Sequence, residues 1–302
     1  MHSAVHGRHY YKLLFEVERM TLLSVEKKYS IGLYEKSMPN TLSLEEKLRT
    51  AKDVGYDYVE ISIDETDEKL SRLDMKKEER MQLVKTMMDL EMPMRTMCLS
   101  GHRKYPLGSS DPAVCARSME IMEKAIQLAE DLGIRIIQLA GYDVYYEQST
   151  PDTVARFEEN LNKAVLMAAK AGVVLGFETM ETEFMDTVEK CMKYVNLVNS
   201  AYLNVYPDSG NITNAAVKYG TDVLKDLETG AGHIVALHLK ESLPGRYREV
   251  RYGEGHVDFN AMINKAWELG VRKYVTEFWY TGNINWHDDL VYAYNLMTGI
   301  LD

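Results

Sequence analysis

AKDVGYDYVEI (residues 51–61), AEDLGIRIIQL (129–139), AAKAGVVLGFE (168–178) and AWELGVRKYVTE (266–277) are four variations on one phrase. Each begins as a helix with an apolar stripe, crosses a glycine and ends as a short apolar or β-branched run. Gly55, Gly133, Gly172 and Gly270 stand where a helix C-terminus wants a residue free to adopt positive φ. Working outward, the same alternation fills the chain from Tyr29 onward. Strands are expected at Ser30–Tyr34, Tyr56–Ile63, Met94–Leu99, Ile134–Ala140, Val173–Glu178, Tyr202–Pro207, His233–Lys240 and Lys273–Trp279. Amphipathic helices are expected at 44–54, 79–90, 114–132, 151–171, 187–199, 221–229 and 259–269, and a last one follows Trp286. Ser110–Pro112 and Ser149–Pro151 read as helix starts, with proline in the first turn. Repeated strand–helix units of this kind favour an α/β fold with a closed parallel sheet, a single (β/α)8 TIM barrel, over an open doubly wound sheet.

No linker or low-complexity tract divides residues 29–302, so they read as one TIM-barrel catalytic domain. Residues 1–28 read as an N-terminal extension outside the fold, disordered or added sequence, and Met20 would serve as an alternative start. Its apolar patch, Leu13–Leu14–Phe15, is broken by Glu16 and lacks the continuous run of a signal peptide. His2, His6 and His9 are too irregularly spaced for a metal site.

Composition narrows the function. The chain has 302 residues, 46% of them hydrophobic, enough for one well-packed core. Its net charge of −11, with no dense basic patch, argues against nucleic acid and anionic membranes as partners. No apolar run is long enough to span a bilayer. Cys98, Cys115 and Cys191 are odd in number and far apart, which fits reduced thiols in a cytoplasmic protein. The 18 methionines mostly fall at helical spacing and read as core filler.

In parallel barrels the chemistry sits at the C-terminal ends of the strands. Those ends supply Glu178 from strand five, Asp208 from strand six, His238 from strand seven and Glu277 from strand eight. A single acid at a strand end is usually a cap or an ion-pair partner, and a lone strand histidine is usually structural. Four on consecutive strands are harder to explain so, because each desolvated charge needs its own partner. One divalent cation would satisfy them all. The mixed oxygen–nitrogen set favours Mn2+, and Zn2+ or Co2+ can also use it.

The same residues lie within a wider pattern. GLYEK (32–36), VEISIDETDEKLSRLD (59–74), MCLSGHRKYPLGS (97–109), IRIIQLAGYDVYY (134–146), YPDSGN (206–211), GHIVALHLKE (232–241) and GEGHVDF (253–259) together resemble the L-ribulose-5-phosphate (L-xylulose-5-phosphate) 3-epimerases. These belong to the xylose-isomerase-like barrel superfamily and serve carbohydrate metabolism in ascorbate utilisation. The likeness runs from about Ser30 to the C-terminus. It implies Glu178, Asp208, His238 and Glu277 as metal ligands, and the two glutamates as paired acid/bases. Two departures stand out. Asn211 occupies a position where sugar-specific relatives often have histidine, and Glu241 one where the nearest enzymes have aspartate. A homo-oligomer formed through barrel helices is a further expectation from the resemblance.

The chemistry suits such an isomerase. The C3 hydrogen of a ketopentose is weakly acidic because the adjacent carbonyl can accept charge as an enediolate. A metal held by O2 and O3 would stabilise that charge. Inversion needs a base on one face and an acid on the other, each contributing ~10²–10⁴ in rate. Glu178 and Glu277 are assigned to those roles, with Asp208 and His238 holding the ion. The substrate, a small-molecule ketopentose phosphate, needs cationic donors for its phosphate, with His102, Arg103, Lys240 and Arg246 as candidates and Asn211 near the sugar. Lys240 shares the inward face of its strand with His238, about 6–7 Å further along on ordinary strand rise.

Three other functions compete. An aldose–ketose isomerase on the same barrel would normally use a second metal. An endonuclease of abasic DNA would need more ligands and a basic rim, against the net charge of −11. A non-catalytic sugar-phosphate sensor would have no use for a matched pair of glutamates.

Overall fold

The structure, a computed structural model, describes residues 27–302. The expectations for residues 1–28 therefore fall outside the described residues, except at Lys27 and Lys28. Along the chain run β1 (Ser30–Tyr34), α1 (Leu44–Val54), β2 (Tyr58–Ser62), α2 (Lys77–Asp89), β3 (Met94–Leu99), α3 (Pro112–Leu132), β4 (Ile136–Ala140), α4 (Pro151–Ala171), β5 (Val174–Glu178) and α5 (Val188–Val198). They are followed by β6 (Leu203–Val205), α6 (Ser209–Tyr219), α7 (Val223–Thr229), β7 (Leu237–Leu239), α8 (Phe259–Glu268), β8 (Lys273–Thr276) and α9 (Trp286–Leu301).

Neighbouring strands pair in parallel in the order β6-β5-β4-β3-β2-β1-β8-β7. The two ends of that order meet through parallel bridges from Val205 to Ile234 and from Asp208 to His238. The sheet thus curls back on itself, and all strand ends converge on one face.

The helix boundaries have local causes. Ser43 and Glu46 form a reciprocal capping box at the start of α1, with the Ser43 amide donating to Glu46 Oε2 at 2.7 Å. Asp111 and Thr150 cap α3 and α4 immediately before their prolines. At the end of α3, Gly133 takes φ 74°, a left-handed conformation that any side chain would strain. Gly32 on β1 serves differently: a Cβ there would lie 2.4 Å from the Tyr58 ring.

Side-chain alternation separates two cores. On β4, Ile137 and Leu139 face the helices, while Ile136 and Gln138 face the barrel interior. Tyr34, Tyr58, Cys98, Tyr206, Ala236 and Val275 fill that interior. Outside the sheet, Phe157 of α4 meets Phe184 and Tyr194 edge-on at 5.3 and 5.4 Å. Burying a side chain of that size stabilises by about 1.5–3 kcal/mol. Met38, Met97, Met122, Met262 and Met297 are buried in the outer core, as core filler should be. The three cysteines are unpaired.

A buried ionic knot ties the exits of β1 and β2 together. Glu35 accepts from the Ser62 amide at 3.1 Å and from Arg72, with Lys69 at 3.4 Å and Lys47 at 3.6 Å. Burial opposes its charge, but Arg72, Lys47 and Lys69 together hold the carboxyl below its ordinary range. At Lys47 the balance reverses, and desolvation lowers the ammonium's pKa despite Glu35.

Most strand and helix positions agree with the sequence, and several strands, among them β2, β4 and β8, are shorter than the runs expected. β6 and β7 keep only three residues each of the longer runs expected. Helix α6 was not expected. Its sequence, SGNITNAAVKY, carries glycine, asparagines and threonine, all weak helix formers, and shows only a short apolar stripe.

Candidate metal centre and active site

The short strands carry four side chains to one place. Glu178 is the last residue of β5, and Glu277 follows directly after β8. His238 is the middle residue of β7. Asp208 lies three residues beyond β6, as the N-cap of α6. One donor atom from each lies within 4.8 Å of the others, and all four residues are buried.

His238 organises the cluster. Its Nδ1 lies 3.0 Å from Glu178 Oε1 and 3.4 Å from Glu277 Oε2. Its Nε2 lies 2.7 Å from Glu60 Oε1, whose other oxygen accepts from the Tyr206 hydroxyl at 2.9 Å. Glu60 therefore sets the ring orientation and leaves Nδ1 for the shared centre. Gln138 on β4 donates through its amide to Glu178 Oε2. Asp208 divides its two oxygens: Oδ1 accepts from the Asn211 amide at 2.7 Å, capping α6, while Oδ2 is buried with no hydrogen-bond partner.

Three buried carboxylates this close need positive charge. Burial, with Glu277 beside it, raises the Glu178 carboxyl. Burial also pushes Asp208 well up against the pull of Lys240. Glu277 goes the other way, because His238 and Lys240 outweigh its burial. Burial disfavours the imidazolium of His238, yet Glu60, Glu277 and Glu178 drive its pKa well above the ordinary value. Two buried oxygens, Asp208 Oδ2 and Glu277 Oε2, still lack a hydrogen-bond partner. A divalent cation would satisfy both while replacing the proton on Nδ1, so the donor set fits a metal ion.

The expected substrate residues divide. Lys240 is inward as its parity requires, but it turns back onto the cluster instead of out along the mouth. Its Nζ lies 3.0 Å from Asp208 Oδ1, 3.8 Å from Glu277 Oε2 and 2.9 Å from Asn211 Oδ1. Asn211 is buried and also donates to the Thr179 carbonyl at 2.6 Å. Arg103 sits with its guanidinium 4.9 Å from the centre of the Tyr145 ring, and its Nε is buried without a partner. His102 is not at the mouth. It is buried, its Nε2 lies 3.1 Å from the Ser118 carbonyl, and burial lowers its pKa to about 4. A neutral ring turned into the protein cannot serve an anion at the mouth. Arg246 is exposed and donates to the Arg248 and Glu249 carbonyls of its own loop.

Reading strand ends alone missed Glu60 and Gln138, which lie within strands. Their signal was available: polar side chains in runs that are otherwise buried. Arg248 donates to Glu181 at 2.8 Å and lies 5.9 Å from the Trp279 ring centre, the same distance as Lys240. A cavity of about 860 Å³ opens beside Trp279, between the loops after β7 and β8. The four donors are not among its lining residues, so the donor chemistry locates the site, not the concavity.

Comparison with known proteins places this geometry. Residues 48–293 match the family model described as xylose isomerase-like TIM barrel. L-ribulose-5-phosphate 3-epimerase UlaE of Escherichia coli (strain SE11) is 43% identical over 256 residues, covering 84% of this chain and 89% of that protein. Two solved structures share the fold. D-psicose 3-epimerase in the presence of D-fructose has a TM-score of 0.75 at 15% identity, covering 90% of this chain and 99% of that one. L-ribulose 3-epimerase has 0.71 at 20% identity, covering 90% and 94%. The chain belongs to the xylose isomerase-like TIM-barrel family and, within it, to the branch of the L-ribulose-5-phosphate 3-epimerases.

Proposed function

We propose that residues 29–302 form one catalytic barrel, a cytoplasmic 3-epimerase that interconverts L-ribulose 5-phosphate and L-xylulose 5-phosphate. The observation that carries this reading is the set Glu178, Asp208, His238 and Glu277, with the Glu178 and Glu277 carboxylates 3.0 and 3.4 Å from one imidazole nitrogen. The relative named L-ribulose-5-phosphate 3-epimerase, at 43% identity, supports the substrate. No helix among the described residues is long and apolar enough to cross a membrane.

The four residues would hold one divalent ion, Mn2+ by preference, with Zn2+ or Co2+ also compatible. When bound, it supplies Lewis-acid stabilisation of the charge that develops on the ketose oxygens. The protein's own groups do the rest. Glu178 and Glu277 take and return the C3 proton from opposite faces. The Gln138 amide fixes one oxygen of Glu178, leaving the other to work. Glu60 fixes the His238 ring, so the donors stay oriented. Lys240 lies at the reacting end of the substrate, where its ammonium offsets the surplus of carboxylate charge. Arg103, with its unpartnered Nε, receives the 5-phosphate at the mouth. Arg246 is too far engaged with its own loop for that task.

The direct test is to load the protein with Mn2+, add L-ribulose 5-phosphate and follow the sugar by NMR. Appearance of L-xylulose 5-phosphate supports the reading. A protein that binds metal and leaves the sugar unchanged would overturn it.

A further inference from the structure

Tyr142 lies two residues past β4, in the loop that borders the site. It is buried, and its hydroxyl has no hydrogen-bond partner. A buried phenol without a partner is costly, so its persistence calls for a reason. The backbone joins it to the ligand set: Ala140 is in register with Glu178, and the Gly141 amide donates to the Glu178 carbonyl at 3.1 Å. On its other side, the Tyr142 ring packs on Tyr145 at 5.2 Å, and Tyr145 carries Arg103 on its face at 4.9 Å. Tyr142 thus follows directly on the backbone contact to a proposed metal ligand and packs on the ring that carries the proposed phosphate receptor. The charges around the phenol agree: burial raises its pKa well above the ordinary value, Arg103 pulls it down, and Glu181 and Glu178 push it up.

A ketopentose 5-phosphate held at O2 and O3 by the metal site and at the phosphate by Arg103 has one polar group left between them. That group is the C4 hydroxyl. We propose that the Tyr142 hydroxyl hydrogen-bonds the substrate's C4 hydroxyl and makes Tyr142 a residue that selects substrates at that carbon. This rests on the reading given under Proposed function. C4 keeps its configuration through a C3 epimerisation, so one fixed contact serves substrate and product alike. It also distinguishes the L-pentuloses from those of opposite C4 configuration.

The test is Tyr142→Phe, which removes one oxygen and keeps the ring. On the Mn2+-loaded protein, kcat/KM for L-ribulose 5-phosphate should fall about tenfold, the scale of one neutral hydrogen bond. Affinity for the 4-deoxy analogue, read as an inhibition constant, should be the same in parent and variant. The melting temperature should hold or rise, because no protein hydrogen bond is lost. Equal kcat/KM in variant and parent would overturn the proposal, as would an equal loss of affinity for the 4-deoxy analogue. A melting temperature lower by several degrees would assign the hydroxyl to the fold instead. A parent protein that fails to convert L-ribulose 5-phosphate at all would mark failure of the functional reading itself, and this proposal would fall with it.

Discussion

Glu60 Oε1 lies 2.7 Å from His238 Nε2, so the imidazole is held from behind by a buried carboxylate while its Nδ1 faces Glu178 and Glu277. This is the arrangement that orients a metal-ligating histidine and raises its basicity. Replacing Glu60 by glutamine should weaken Mn2+ binding by about 10–100-fold, the usual cost of losing such a support. Calorimetric titration of the metal-free variant would check it. Unchanged affinity would mean that Glu60 serves only the packing of Tyr206.

Asp208 divides its duties between its oxygens: Oδ1 caps α6 and pairs with Lys240 at 3.0 Å, while Oδ2 has no hydrogen-bond partner. Asparagine caps a helix about as well as aspartate. Asp208→Asn keeps the cap but removes the charge nearest Lys240, so it should lose metal and lower the melting temperature of the metal-free protein less than Asp208→Ala does. Asp208→Ala should lose both metal and about 1 kcal/mol of stability. Metal analysis beside thermal denaturation separates the two.

Lys240 and Arg103 should respond differently to the substrate. With its ammonium among the proposed metal donors, Lys240→Met should lower kcat/KM equally for L-ribulose 5-phosphate and free L-ribulose. Arg103→Met should raise KM about 10–100-fold for the phosphorylated sugar alone, the loss expected of one charged hydrogen bond. The reverse pattern would return the phosphate to Lys240.

The knot around Glu35 predicts an acid response unrelated to catalysis. Its folded pKa is depressed, so the stability it contributes is complete above the unfolded carboxylate value, about pH 4.3. That stability is lost as pH falls from there through the folded pKa. Glu35→Gln should cost about 3–5 kcal/mol at pH 7, because three buried or nearly buried cations lose the carboxylate they share. The gap between parent and variant in urea denaturation should narrow as pH falls below about 4. A gap constant with pH would mean that Glu35 acts by shape alone.

Most of the fold was legible because a barrel repeats one signal. Each helix–glycine–strand phrase states its own period and stop, and β1, β3, α1 and α4 have the boundaries read from sequence. Helix α6 was hidden because its stability comes from the Asp208 cap and from tertiary burial of Ile212 and Ala215, not from propensity. The four residues were legible because they lie at or near the ends of the runs read as strands five to eight, and on strand seven parity also points His238 inward. Glu60 was not, because its role depends on a ring 178 residues away in sequence. Nor could the sequence say where long side chains turn. Parity placed Lys240 on the inward face, but its rotamer, set by Asp208 and Asn211, decides which end of the site it serves.

Proton exchange at C3 between two carboxylates is tested most directly by turnover in D2O. Mn2+-loaded protein would be incubated with L-ribulose 5-phosphate, and the label located by NMR. The expected product is L-xylulose 5-phosphate carrying deuterium at C3 and nowhere else. Metal-loaded Glu178→Gln and Glu277→Gln variants should each lose net epimerisation. Deuterium at C1 with formation of an aldose phosphate, or near-normal epimerisation by either metal-loaded variant, would contradict exchange between the two glutamates.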